Sequence, residues 1–117
     1  MPQITVERSP YLDHVDWEEF ALALHPVVVE TAAAKLEGCK TRVLRSEDEA
    51  VGGEKENHAI VNVSVALLAG RSEETKAKLA EAVVDLLRKH VGPTDGLTVH
   101  LSAEVRDLDA SYTKAVL

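Results

Sequence analysis

The sequence predicts an α+β fold in which two β-α-β units join into one four-stranded sheet with two helices on a single face. Three observations lead there: four segments alternate apolar and polar residues, a helical apolar stripe lies between the members of each pair, and the strand-helix-strand order occurs twice. The repeat is one of pattern, not of identity. Its two copies are residues 2–45 and 59–105 of one domain spanning 1–117, a length that buries a modest core without staples. Strands within each unit are parallel, and right-handed crossovers place both helices on the same side. The opposite side of the sheet is left bare.

Gln3 to Glu7 puts Ile4 and Val6 on one face, as a half-buried strand does. Asp16 and Glu19 have capping-box spacing and open a helix whose stripe is Trp17, Phe20, Leu24, Val27, Val28 and Thr31. Pro26 falls inside that stripe, where it either kinks the helix or leaves a carbonyl one turn earlier unpaired. Gly38 is the expected C-terminal stop. Cys39 to Arg45 reads as a strand with Lys40 and Arg42 on one face and Cys39, Thr41 and Val43 on the other. Residues 46–57 are acidic and contain glycine, the composition of a solvated connection.

The second unit begins with a long strand, Ala59 to Ala69, whose Val61, Val63, Val65 and Leu67 share one face. Gly70-Arg71-Ser72 follows, and Glu73 and Glu74 favour the positive end of a helix. Leu79, Ala82, Val83, Leu86, Leu87 and His90 continue the helical stripe to a stop at Gly92-Pro93. Leu97 to Val105 alternates again and forms the last strand. Ile60 and Leu68, on the alternate face, are apolar enough to predict burial of the bare side by association, hence an oligomer.

Composition excludes several classes of function. Aromatic residues are 3% of the chain, so stacking platforms for bases or sugars are scarce, and a net charge of −7 disfavours nucleic acid and anionic membranes. An anionic ligand needs a local basic pocket. No stretch approaches the ~20 apolar residues of a membrane span, and no secretory leader is evident. The lone Cys39 excludes an intramolecular disulfide and reads as a buried, inert thiol; a cytoplasmic location is expected. His14, His25, His58, His90 and His100 show no ligand spacing on a shared element, which argues against a metal site.

Pro2 is the most informative residue. Removal of Met1 exposes a secondary amine, and a terminal amine titrates near about 8, where modest desolvation or a neighbouring cation leaves it neutral and able to take a proton. If the first strands of the two units lie adjacent and antiparallel, the start of strand one meets the end of strand three, bringing Pro2 toward Arg71. An amine base beside a guanidinium is a site for proton abstraction next to a carbonyl, the cation serving a carboxylate or the developing oxyanion. Each residue also has a structural reading. Proline suits the first position of a strand, Arg71 can sit exposed at a helix start, and Ser72 beside it is an ordinary N-cap.

Met1-Pro2 before a strand ending in Val6-Glu7, Gly70-Arg71-Ser72-Glu73-Glu74 opening the second helix, and Leu101-Ser102-Ala103-Glu104 in the last strand together resemble the tautomerase superfamily. Among its branches the two fused units resemble 5-carboxymethyl-2-hydroxymuconate delta-isomerase. That resemblance implies a homotrimer, no cofactor, and an isomerase in aromatic-compound breakdown whose amino-terminal proline shuttles a proton on a small, anionic, unsaturated 2-hydroxy or 2-oxo acid. It assigns Pro2 and Arg71 as catalytic residues. The superfamily's basic position on the second strand falls at Lys40, where arginine is the usual residue, with Arg42 following; both are candidates for substrate binding. Phenylpyruvate tautomerisation, haloacrylate dehalogenation and non-catalytic binding of a small ligand by an oligomeric domain remain alternatives.

Overall fold

The structure, a computed structural model, describes residues 2–117. The first unit is β1 (Gln3–Arg8), α1 (Trp17–Ala32) and β2 (Lys40–Arg45); the second is β3 (His58–Leu67), α2 (Glu73–Val91) and β4 (Thr98–Asp107). Short 3-10 turns at Pro10–Leu12 and Leu36–Gly38 flank α1. The strands lie in the order β2-β1-β3-β4, parallel within each unit and antiparallel where β1 meets β3. Gln3 is registered with Ala66 and Arg8 with Val61, so β1 starts where β3 stops. This is the arrangement required to bring Pro2 and Arg71 to one end of the sheet.

Alternation decides which face is covered. Ile4, Val6, Val61, Val63, Val65 and Leu67 are fully or almost fully buried and belong to one core with Phe20, Leu24 and Val28 of α1 and Leu79, Val83 and Leu87 of α2. Phe20 is the largest fully buried side chain; Trp17 meets it edge-on at 5.9 Å and its Nε1 donates to the Leu12 carbonyl at 3.0 Å. The otherwise aliphatic core thus contains one aromatic pair.

Asp16 caps α1 as its spacing predicts, its carboxylate accepting from the Glu19 N–H at 3.0 Å. The helix runs through Pro26 without a break. Since proline has no N–H, the carbonyl of exposed Leu22 receives no backbone donor from position 26. Pro26→Ala restores that donor and is expected to raise unfolding stability by about 1–2 kcal/mol, read as a higher urea midpoint at unchanged slope.

The end of α1 differs from expectation. The helix stops at Ala32, with Ala33 in the left-handed region at φ 54°, and Gly38 is instead the buried last residue of a 3-10 turn before β2. The run Ala32-Ala33-Ala34-Lys35 has high helical propensity, but the chain must turn back to lay β2 beside β1, and the Lys40 N–H bonds the Pro2 carbonyl at 3.2 Å. Tertiary pairing overrides local preference here. Residues 46–57 form a connection without a strand of their own beyond the Val51–Glu54 bridge, pinned where Ser9 Oγ donates to Glu49.

The bare face is more polar than Ile60 and Leu68 led us to expect. Gln3 accepts from Arg42 and donates to the Tyr112 hydroxyl, both at 3.0 Å, and Ser102 donates to Asn62 at 2.8 Å. Leu68 lies beyond the end of β3 and faces a cavity instead. No helix among the described residues is long and apolar enough to cross a membrane.

Candidate active site

A cavity of about 310 Å³ opens at the end of the sheet where β1 begins, lined by Pro2, Ala33, Ala34, Lys35, Leu67, Leu68 and Arg71. Its walls are mostly apolar, with two cations and one proline ring among them. Strand pairing fixes the proline: residue 2 is buried, and its carbonyl is held by the first N–H of β2. Met1, whose removal gives Pro2 its basic nitrogen, lies outside the described residues. Leu67 and Leu68 line the cavity, whereas Ile4 is wholly inside the core.

Arg71 is positioned by the residues on either side of it. Gly70 adopts φ 125°, a conformation that disfavours any residue with a Cβ, and Ser72 caps α2 by accepting from the Thr75 N–H at 3.1 Å. Between them the Arg71 side chain reaches across to the other unit. Its Nε donates to the Ala32 carbonyl at 2.9 Å and its Nη1 to the Leu68 carbonyl at 3.2 Å. The last turn of α1 contains no basic residue of its own, so Arg71 supplies both a donor and a positive charge to that helix end. Its Nη2 edge has no protein partner among the described residues, and the residue lines the cavity.

Lys40 and Arg42 are not brought to the cavity within one chain. Both project from the bare face, as alternation requires with Gln3 registered against Lys40 and Thr5 against Arg42. Lys40 Nζ donates to the Gly38 carbonyl at 3.3 Å, and Arg42 pairs with Gln3. Lys35 takes the place in the cavity wall that sequence reasoning did not give it. The cause is the misplaced helix end: a helix running to Gly38 would put Lys35 in its last turn, as an ordinary partner for the helix dipole. Lys35 is exposed, and its ammonium has no hydrogen-bond or ion-pair partner among the described residues.

Cys39 is buried below this wall, with Sγ 3.6 Å from the Lys35 carbonyl. Burial pushes its thiol upward, opposed in part by the charge of Lys40, so it stays protonated at neutral pH and does not act as a nucleophile. Ser102 bonds to Asn62 and to the Val61 carbonyl, and among the described residues no base is hydrogen-bonded to it. Among the described residues, no group of three or more His, Cys, Asp or Glu is placed to hold a metal ion.

A duplicated β-α-β sheet with a proline and an arginine converging at one end defines a tautomerase-like fold. The sequence pattern of 5-carboxymethyl-2-hydroxymuconate isomerases matches residues 2–115, and the chain belongs to that family. Among solved structures, it is similar to a 5-carboxymethyl-2-hydroxymuconate isomerase from Deinococcus radiodurans R1, with 24% identity, a TM-score of 0.85, and coverage of 97% of this chain and 88% of that one. A 5-carboxymethyl-2-hydroxymuconate delta-isomerase gives 19% identity and a TM-score of 0.75 over 99% of this chain and 88% of its own. A fused 4-OT described as a symmetric trimer gives 17% identity and a TM-score of 0.76 over 97% and 93%. At these identities the structural likeness speaks for the fold. A search of curated proteins finds no match.

Proposed function

We propose that the chain is a cofactor-independent isomerase that moves a proton on a small, unsaturated 2-hydroxy or 2-oxo acid. Pro2, freed of Met1, is the general base, and Arg71 is the cation for the substrate carboxylate or the developing oxyanion. The observation carrying this reading is that Pro2 and Arg71, remote in sequence, line one apolar cavity. The amine takes the hydroxyl proton of the dienol, or a carbon proton next to the ketone. The resulting enolate is held by the cation, and the ammonium returns the proton at another carbon. Apolar walls and a fixed positive charge both favour the neutral amine before reaction. The ring restricts the nitrogen, which helps orientation.

Lys35 enters this reading as a second cation. With Arg71 tied to two carbonyls, the unpaired ammonium of Lys35 is the more adaptable partner for a carboxylate at the cavity mouth. Lys35→Ala is expected to raise KM about tenfold with kcat nearly unchanged, and Lys35→Arg to recover most of the loss. Steady-state kinetics on one turned-over acid check this. An unchanged KM would remove Lys35 from the site.

Assembly belongs to the same proposal. The bare face, with Lys40 and Arg42 projecting from it, is offered to further copies in a homotrimer, and this is how those two residues would serve a substrate. The test is a screen of 2-hydroxymuconate-like acids, phenylpyruvate and haloacrylates, followed by the ultraviolet absorbance of the dienol or enol and by halide release. Saturable proton transfer with the first group supports the proposal. Binding of these acids with no turnover by Met1-free protein would instead favour a ligand-binding domain.

A further inference from the structure

Far from the Pro2 cavity, the fold joins two histidines that sequence spacing keeps apart. His58 opens β3 and His100 lies on β4, where its backbone is registered with Ile60; the strand ladder thus places the two rings diagonally on the bare face. His58 Nδ1 and His100 Nε2 are 2.9 Å apart, with ring centroids at 5.2 Å. On the other side of the same ring, His58 Nε2 is 3.4 Å from a carboxylate oxygen of Glu54. We propose that His58 and His100 form a two-histidine chelate for a divalent transition metal of the zinc class, with Glu54 holding the outer nitrogen of His58.

The bite is right for this. Two imidazole nitrogens at about 2.0–2.1 Å from one ion, with an angle between 90° and 110°, lie about 2.9–3.4 Å apart. The proton shared by the imidazole pair moves to the outer nitrogen of His58, and the ion takes its place between the rings. His58 then carries its proton on Nε2, facing Glu54, and His100 carries its own on Nδ1, so two neutral rings bind without net loss of a proton. A carboxylate accepting from the outer N–H of a ligating histidine fixes the ring and raises its basicity, which is the role Glu54 is placed to fill. Water completes the coordination, since among the described residues no third protein ligand is at hand.

The surroundings favour a cation. Residues 46–57 contain Glu47, Asp48, Glu49, Glu54 and Glu56 against Lys55 alone, in a chain of net charge −7. Both ligand backbones are locked in one parallel ladder, so binding orders little that is not already ordered. The ion clips the edge strand β4 to β3. It does so at the opposite end of β3 from the cavity of its own chain, roughly 30 Å away, and its expected effect is on the stability of the sheet.

The test is calorimetric titration of protein lacking any histidine tag with Zn²⁺, together with thermal melts at saturating metal. One ion per chain and a raised Tm are expected in the parent protein. Both should disappear in His58→Ala and in His100→Ala, and affinity should fall about tenfold in Glu54→Gln. Because His100 is exposed on a strand, His100→Thr keeps the strand propensity and serves as the folding control. Absence of a one-per-chain site, or a site that survives loss of either histidine, overturns the proposal. Isomerase kinetics are not its readout, so it stands or falls independently of the Pro2 reading.

Discussion

Protein that retains Met1 is expected to be inactive, and removal of that single residue should raise turnover by at least about a hundredfold, the lower end of what a positioned general base contributes. In the Met1 form, the nitrogen of Pro2 is part of a tertiary amide. Its lone pair is delocalised into the carbonyl and has no useful basicity. In the processed form it is a secondary amine at the wall of a cavity that also contains Arg71 and Lys35. Intact-mass spectrometry separates the two forms, and their activities are compared on the same acid. Pro2→Ala, once processed, keeps a primary amine and should retain a reduced rate, whereas a residue added before Pro2 should behave like retained Met1. The rate should rise with pH as the ammonium loses its proton, with a midpoint at or below the ~8 of a free terminal amine, because neighbouring cations and apolar walls disfavour the charged form. Equal rates from the Met1 and Met1-free forms would exclude Pro2 as the base.

How far the sequence could lead is seen best by comparing Pro2 with Lys35. The approach of Pro2 to Arg71 was legible because it depends on strand order and direction alone: two β-α-β units joined through antiparallel first strands leave residue 2 beside the end of β3. Alternation likewise gave the covered face, from Ile4 and Val6 to Val61 and Leu67, since a period of two survives any detail of packing. Lys35 was not legible. Its place depends on α1 ending at Ala32, a position chosen by the return to β2 against the helical preference of three alanines. The polar network on the bare face was missed for a similar reason. Arg42, Gln3 and Tyr112 come from β2, β1 and the C-terminal tail, and no spacing within one element reveals that they meet. The His58–His100 pair is of the same kind, a contact across strands 42 residues apart.

Arg71 is expected to lose two things at once when replaced, and the two are separable. Arg71→Ala removes the Nη2 edge offered to an anion, which should lower kcat/KM by about 10²–10³, the usual cost of a preorganised donor to developing charge. It also removes the bonds to the Ala32 and Leu68 carbonyls and leaves the end of α1 with no basic partner, at a cost of about 1–2 kcal/mol in unfolding stability. Arg71→Lys restores the charge but not the fork. One ammonium cannot span two carbonyls and an anion as a planar guanidinium does, so stability should recover more than activity. Urea unfolding and steady-state kinetics on the same three proteins resolve the two roles. If Arg71→Ala were destabilised yet turned over its acid at the parental kcat/KM, Arg71 would be the tether of α1 and nothing more. The oxyanion would then have to be served by Lys35, the one other cation in the cavity wall.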